Sequence, residues 1–335
     1  MKTNLKIRLR TFFSFSYFFN IFITFFIIFI SCDRKNSKEA QINAISVDLN
    51  FERFDLKFYN NSPDVIPKLK KEYPFLFPTK FPDSVWIKRQ NDSLQLLLQD
   101  AVKKIFNDIN PLEGRVSNLF KHIKYYFPRT KTPQVITLTN NVDYQIKTVY
   151  SDSLLLISLD TFLGSEHPLY EGIPSYIRKE LDKKYIISQI AEKFSAYLIR
   201  PPEDRTFLAQ MVYEGKKLYL QDMIMPNEKD AIKIAYSKEE LDWAKNNEIY
   251  IWQFFIEKQL LYKTDSQWSE RFIEPAPFSK FYLQLDNESP GRIGRWIGWQ
   301  IVRSFHKQNP NISLQELIKL PFQQIFNKSK YKPKR

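Results

Sequence analysis

The sequence predicts an α+β fold dominated by helices, in which a small sheet is followed by a helical region. Three observations carry this prediction. Short β-branched or leucine-rich runs fall close together at 135–139, 146–150 and 154–159, the signature of adjoining strands. Apolar residues recur at helical spacing just before them, at 93–109 and 116–127. From Pro174 onward the pattern is almost wholly helical and is punctuated by proline.

Taken in order, the first elements follow an N-terminal leader. Residues 33–41 are polar and charged, as befits a short tether. Ile45, Val47, Leu49 and Phe51 alternate with polar neighbours and predict a strand. Residues 63–82 hold five prolines and predict short helical and extended pieces. In 93–109 a helix is expected to bury Leu94, Leu97, Leu98, Val102, Ile105 and Phe106, and in 116–127 another buries Leu119, Ile123 and Tyr126. After the three strands, helices are expected at 185–200, ended by Pro201, and at 203–225, ended by Pro226. Two more are expected within 238–263. A last one should open with Ser289 as N-cap and Pro290 at the first helical position and run to about His306.

The N-terminus has a chemistry of its own. Lys2, Lys6, Arg8 and Arg10 precede an uncharged run over 12–30, and no acidic residue occurs before Asp33. A basic head, an apolar core and a small residue at its end describe a secretory signal. The run closes on Ile30-Ser31-Cys32, which holds the one cysteine of the 335-residue chain and resembles the lipobox of bacterial lipoproteins. That resemblance implies cleavage before Cys32 and acylation of its thiol, each buried methylene adding ~0.8 kcal/mol of membrane affinity. The alternative is an uncleaved membrane helix, for which nineteen residues is barely the ~20 required. Either way the remainder lies outside the cytoplasm. The expected organisation is a signal at 1–31, a lipidated cysteine and tether at 32–43, one globular domain at 44–327 and a basic tail at 328–335.

Composition excludes several classes. The net charge of +13 includes four cations before residue 11 and five in the last eight residues, so the body carries only about +4. No basic stripe argues for nucleic acid. The tail is either solvated or placed against anionic lipid or an acidic partner. A single cysteine allows no internal disulfide, so core packing must hold the domain. No phosphate-binding glycine loop and no Gly-x-Ser-x-Gly elbow occurs.

Two segments attract attention. Glu192 lies in Ala191-Glu192-Lys193-Phe194-Ser195, and Glu214 follows on the next predicted helix. The pattern resembles the gluzincin metallopeptidases, in which two histidines one helical turn apart and a later glutamate bind zinc, and the glutamate between them is the general base. Here Ala191 and Ser195 stand at both histidine positions, and His122, His167 and His306 are each isolated. The expectation is a degenerate zincin-like scaffold with no metal and no cofactor, whose remnant cleft comprises Ala191, Glu192, Ser195 and Glu214. The second segment places Gly291, Gly294 and Gly298, three of only seven glycines, beside Arg292, Arg295, Trp296 and Trp299. Glycine costs a helix ~1 kcal/mol relative to alanine, so this cluster needs a reason. It is either close helix packing or the floor of a binding surface made by Arg292, Arg295, Trp296 and Trp299. Arg292 or Arg295 is also expected to neutralise Glu192 or Glu214, since a buried carboxylate without a partner is costly.

Several longer strings carry a second resemblance. Ile199-Arg-Pro-Pro-Glu-Asp204, Tyr213-Glu-Gly-Lys-Lys-Leu-Tyr219, Ile273-Glu-Pro-Ala-Pro-Phe278, the stretch 286–302 and Lys328-Ser-Lys-Tyr-Lys-Pro333 are similar to the gliding-motility lipoprotein family GldB, from about Ala44 to the C-terminus. The resemblance implies a cell-envelope lipoprotein of the gliding apparatus, linked to type IX secretion and acting through other envelope proteins, with no catalytic residues to carry over. The competing expectation is a metal-independent hydrolase using Glu192.

Overall fold

The computed structural model describes residues 37–59, 64–284 and 286–333; the leader and Cys32, on which the lipidation reading falls, lie outside them. The chain divides into two compact units, Met1–Ser46 and Val47–Arg335. In the first, residues 37–43 are helical.

Strand β1 (Phe51–Arg53) leads into the short helices α1 (Phe54–Phe58) and α2 (Val65–Glu72), then α3 (Asp83–Gln90), α4 (Ser93–Ile105) and α5 (Asn110–Tyr126). The sheet is completed by β2 (Gln134–Leu138), β3 (Thr148–Tyr150) and β4 (Leu154–Ser158) in the spatial order β1-β2-β4-β3. β2 pairs in parallel with both β1 and β4, with Ile136 opposite Glu52 and Leu156, and β3 runs antiparallel to β4. Parallel β1 and β2 require a long crossover, which the helices α1 to α5 provide.

Side chains alternate across these strands. Val135, Leu155 and Ile157 face the main core, while Ile136, Leu154 and Leu156 face a smaller cluster of Phe54, Phe58, Tyr59, Tyr73 and Phe77. The sheet is therefore covered on both faces. This explains why its strands read as continuous apolar runs. The loop after β2 is pinned from beneath: the buried Asp160 carboxylate accepts the Asn140 N–H at 3.0 Å and the Val142 N–H at 2.9 Å. Burial raises this carboxyl to about 6 against those stabilising N–H bonds.

The helical half comprises α6 (Ser175–Arg178), α7 (Ile186–Leu198), α8 (Phe207–Ile224), α9 (Asp230–Ile234), α10 (Lys238–Asn246), α11 (Glu248–Glu257), α12 (Gln267–Phe272), α13 (Ile293–Gln308), α14 (Leu314–Leu317) and α15 (Phe322–Ser329). Helix α8 is enclosed on nearly every side and packs most intimately on α13. The reason is glycine. A Cβ at Gly298 would strike the Met211 carbonyl, and one at Gly215 would strike the backbone at Gly298. The two backbones touch because α13 has no side chain at Gly298 and α8 none at Gly215.

Several sequence expectations are corrected. Residues 45–50 carry no strand, and only Phe51–Arg53 pairs with β2. Of the residues expected inside over 93–109, Leu98, Val102 and Phe106 are buried, but Leu94 and Leu97 are 51% and 57% exposed, because α4 turns Gln95 and Gln99 inward, Gln95 accepting the Tyr59 hydroxyl at 3.1 Å. Ser289 and Pro290 do not begin α13. Arg292 is its N-cap residue in the left-handed region, and the Ile293 N–H is satisfied by Ser279 Oγ at 3.2 Å from a preceding loop. The cap crosses the fold, so no local pattern announced it. Of the residues expected as a basic tail, Lys328 and Ser329 end α15, with Ser329 buried, and the Tyr331 hydroxyl donates to Glu248 at 2.9 Å.

Candidate functional site

Three carboxylates and four cations converge where α7, α8 and the start of α13 meet. Arg295, in the first turn of α13, places Nη2 at 3.1 Å from Glu192 Oε1 of α7 and Nε at 3.0 Å from Glu214 Oε2 of α8. The first is a hydrogen bond. The second lacks hydrogen-bond geometry and acts as a charge contact. Lys217, one turn beyond Glu214, donates to both Glu214 oxygens at 2.9 and 3.0 Å and lies 3.5 Å from Glu192. Next to this group Glu180 pairs with Arg292 at 2.8 Å and Lys147 at 3.0 Å and accepts the Gln189 side-chain N–H at 3.2 Å. Two arginines at a helix N-terminus add to the positive end of its dipole, so the glutamates gather there.

Electrostatics follow from this packing. Burial alone would raise the Glu192 carboxyl, but Arg295 first, then Lys217, Arg292 and Lys147, outweigh it and hold the group well below the ordinary carboxylate range. Glu180 is lowered likewise: Arg292 and Lys147 overcome its burial. Arg295 is driven up by Glu192 and Glu214 despite the opposing effect of burial. Glu192 nevertheless keeps 27% of its side chain exposed and is the most accessible carboxylate of the three.

The residues singled out by sequence are distributed as follows. Glu192, Glu214, Arg292 and Arg295 come together. Ala191 and Ser195, at the two histidine positions, are fully buried, and the Ser195 hydroxyl donates at 2.7 Å to the carbonyl of Ala191 one turn back. Of the two readings of the glycine segment, close packing is the one found, because Trp296 and Trp299 are 2% and 0% exposed, and Arg292 and Arg295 are buried with them. The glycine contact draws α13 into the core, so the tryptophans are engulfed. Their indole N–H groups donate to Glu248 at 3.0 Å and Asp222 at 2.9 Å. Exposed aromatic area is carried by Phe75, Phe81, Tyr197, Tyr250, Tyr262 and Tyr282.

Lys217, Glu180, Lys147 and Gln189 escaped sequence reading. Only Lys217 left a signal, three residues after Glu214 on one helix. The zinc suggested by the likeness to metallopeptidases does not fit this donor set. The protein's own ammonium and guanidinium groups hold both glutamates, and among the described residues no group of three His, Cys, Asp or Glu side chains is placed to bind a metal. Among the described residues no helix is long and apolar enough to cross a membrane.

No curated protein and no solved structure matches this chain. The family model described as "Gliding motility protein GldB" matches residues 35–333, almost the whole chain. That span covers the sheet, the α8–α13 contact and the charged site alike, and the chain belongs to the gliding motility protein GldB family.

Proposed function

We propose that this protein is a lipid-anchored, non-enzymatic component of the gliding apparatus in the cell envelope, associated with type IX secretion and acting by binding partner proteins. Membership of a gliding-motility family supports the setting. The observation that carries the non-enzymatic reading is the position of Lys217 and Arg295, which together neutralise Glu192 and Glu214. A general base works best with a pKa near the ambient pH, and the surrounding cations move Glu192 away from it. The network is therefore a clamp joining α7, α8 and α13 on a scaffold whose peptidase likeness is vestigial. The anchor in this reading is Cys32, held to the membrane by acyl chains.

The competing reading, a hydrolase using Glu192, draws on that residue's partial exposure. Glu192→Gln separates the two, since Gln keeps the shape and loses the base. In cells that glide, normal motility and secretion are expected from this variant. Loss of either, with folding, export and protein level unchanged, would shift the assignment to chemistry. Cys32→Ser should release the protein from the membrane fraction, and retention there without acyl label would refute the anchor.

A further inference from the structure

At the carboxyl ends of the parallel strands β1 and β2 lies a second concavity, unconnected with the charged site. It is a cavity of about 320 Å³ walled by Phe54, Phe58, Phe77 and Trp86. Open parallel sheets bind ligands at this edge, where the loops leaving the strands are free of the ladder. The volume suits a molecule of single-residue size, at the small end of ligand pockets. The wall is an edge-to-face aromatic array, with Phe77 and Trp86 centroids 4.9 Å apart and Phe54 and Phe77 6.0 Å apart.

One cation lines this apolar space, and no carboxylate neutralises it at close range. Arg89 has no carboxylate within ion-pair distance among the described residues. Its Nη2 donates instead to the Thr139 carbonyl at 3.2 Å and Asn141 Oδ1 at 3.1 Å, with the Tyr59 hydroxyl beside it. Asp55, also in the lining, is taken by Arg53 at 2.7 Å and by the Thr137 hydroxyl. Asp160 feels Arg89 only from beyond contact and spends its oxygens on the loop N–H groups. That loop is strained: Asn141 and Val142 are consecutive residues at φ 66° and 54°, and a β-branched residue rarely adopts this region. Such strain concentrates at ligand clamps. Here the buried Asp160 enforces it, and the result is a fixed Thr139–Asn141 ledge that holds the guanidinium at the pocket.

We propose that this cavity binds an aromatic carboxylate of single-residue size. Its ring stacks among Phe54, Phe77 and Trp86, and its carboxylate lies on Arg89. A planar guanidinium recognises a carboxylate bidentately, and aromatic walls offer a phosphate nothing. The carboxylate has two possible sources, a free acid or the C-terminal aromatic residue of another chain.

The test is calorimetric titration of the full chain in non-ionic detergent with N-acetyl-L-phenylalanine, its amide, and the peptide acetyl-Gly-Ser-Gly-Phe with a free carboxylate. The acid is expected to bind at least ten-fold more tightly than the amide, the scale of a charge-assisted hydrogen bond. In Arg89→Met the acid should fall to the level of the amide, and Arg89→Lys should lie between. A peptide as tight as the acid assigns the site to a chain end, and a weaker one assigns it to a free acid. Equal binding of acid and amide by the wild-type protein, no saturable binding at all, or an Arg89→Met variant that still prefers the acid would each overturn the proposal. The wild-type comparison decides even if that variant fails to fold.

Discussion

Arg295 is the residue on which the charged site depends most, because, buried itself, it hydrogen-bonds Glu192 and lies against Glu214, while Lys217 is 3.5 Å from Glu192. Arg295→Met would leave two glutamates to share Lys217, and removing one partner of a buried pair costs about 3–5 kcal/mol. Glu192→Gln should cost less, since Glu192 is partly exposed and Arg295 keeps Glu214. Denaturant unfolding of both single variants and the double variant is expected to give a coupling of about 0.5–3 kcal/mol. Strict additivity would mean that the two side chains do not interact. At this scale the sequence disclosed Glu192, Glu214 and the two arginines and the expectation that one of these arginines neutralises one of these glutamates, but not that Arg295 meets both. Glu192 and Arg295 stand 103 positions apart, and nothing local relates them.

At the scale of elements, the crossing of α8 and α13 is built from the absence of side chains. Gly298→Ala places a methyl group against the Met211 carbonyl, which is backbone in a tightly packed helix and has nowhere to go. The expected loss is about 3 kcal/mol or more, the upper range for overpacking, measurable as a lower denaturation midpoint with unchanged m-value. Gly114 is the control. It lies in α5 with nothing near its missing Cβ, and Gly114→Ala should stabilise by up to about 1 kcal/mol through helix propensity alone. If both alanines behave alike, the close approach is not what constrains Gly298. The cluster at Gly291, Gly294 and Gly298 was legible in the sequence as a choice between packing and a binding surface. Only the burial of Trp296 and Trp299 resolved it, because periodicity cannot say whether a rich face meets solvent or a second helix.

Across the whole molecule, buried carboxyls give stability opposing dependences on pH. Glu180 and Glu192 are lowered in the folded state, so their contribution is full above the ordinary value of 4.5 and is lost as pH falls. Asp160 is raised from 3.8 to about 6, so the folded protein binds its proton more tightly and its contribution declines as pH rises through that window. Thermal unfolding should therefore show a falling midpoint below about pH 4.5. Asp160→Asn should remove a separate downward slope with rising pH between about 4 and 6. A wild-type midpoint unchanged from pH 7 to pH 3 would contradict the burial and pairing of these groups.

The sequence by itself determined the fold class, the strands around 135–159, the helices from Pro174 onward and the membership that the family match carries, since these rest on periodicity, proline and uncommon strings of residues. Tertiary structure decided what those elements do to one another. It placed Lys217 and Arg295 between the two glutamates, drew the tryptophans inside, and opened an aromatic cavity beside Arg89 from residues spread over Phe54 to Asn140. The physical reason is range: hydrogen-bonded periodicity is written over a few neighbouring residues, whereas burial and charge pairing depend on which distant segments the packed core brings into contact.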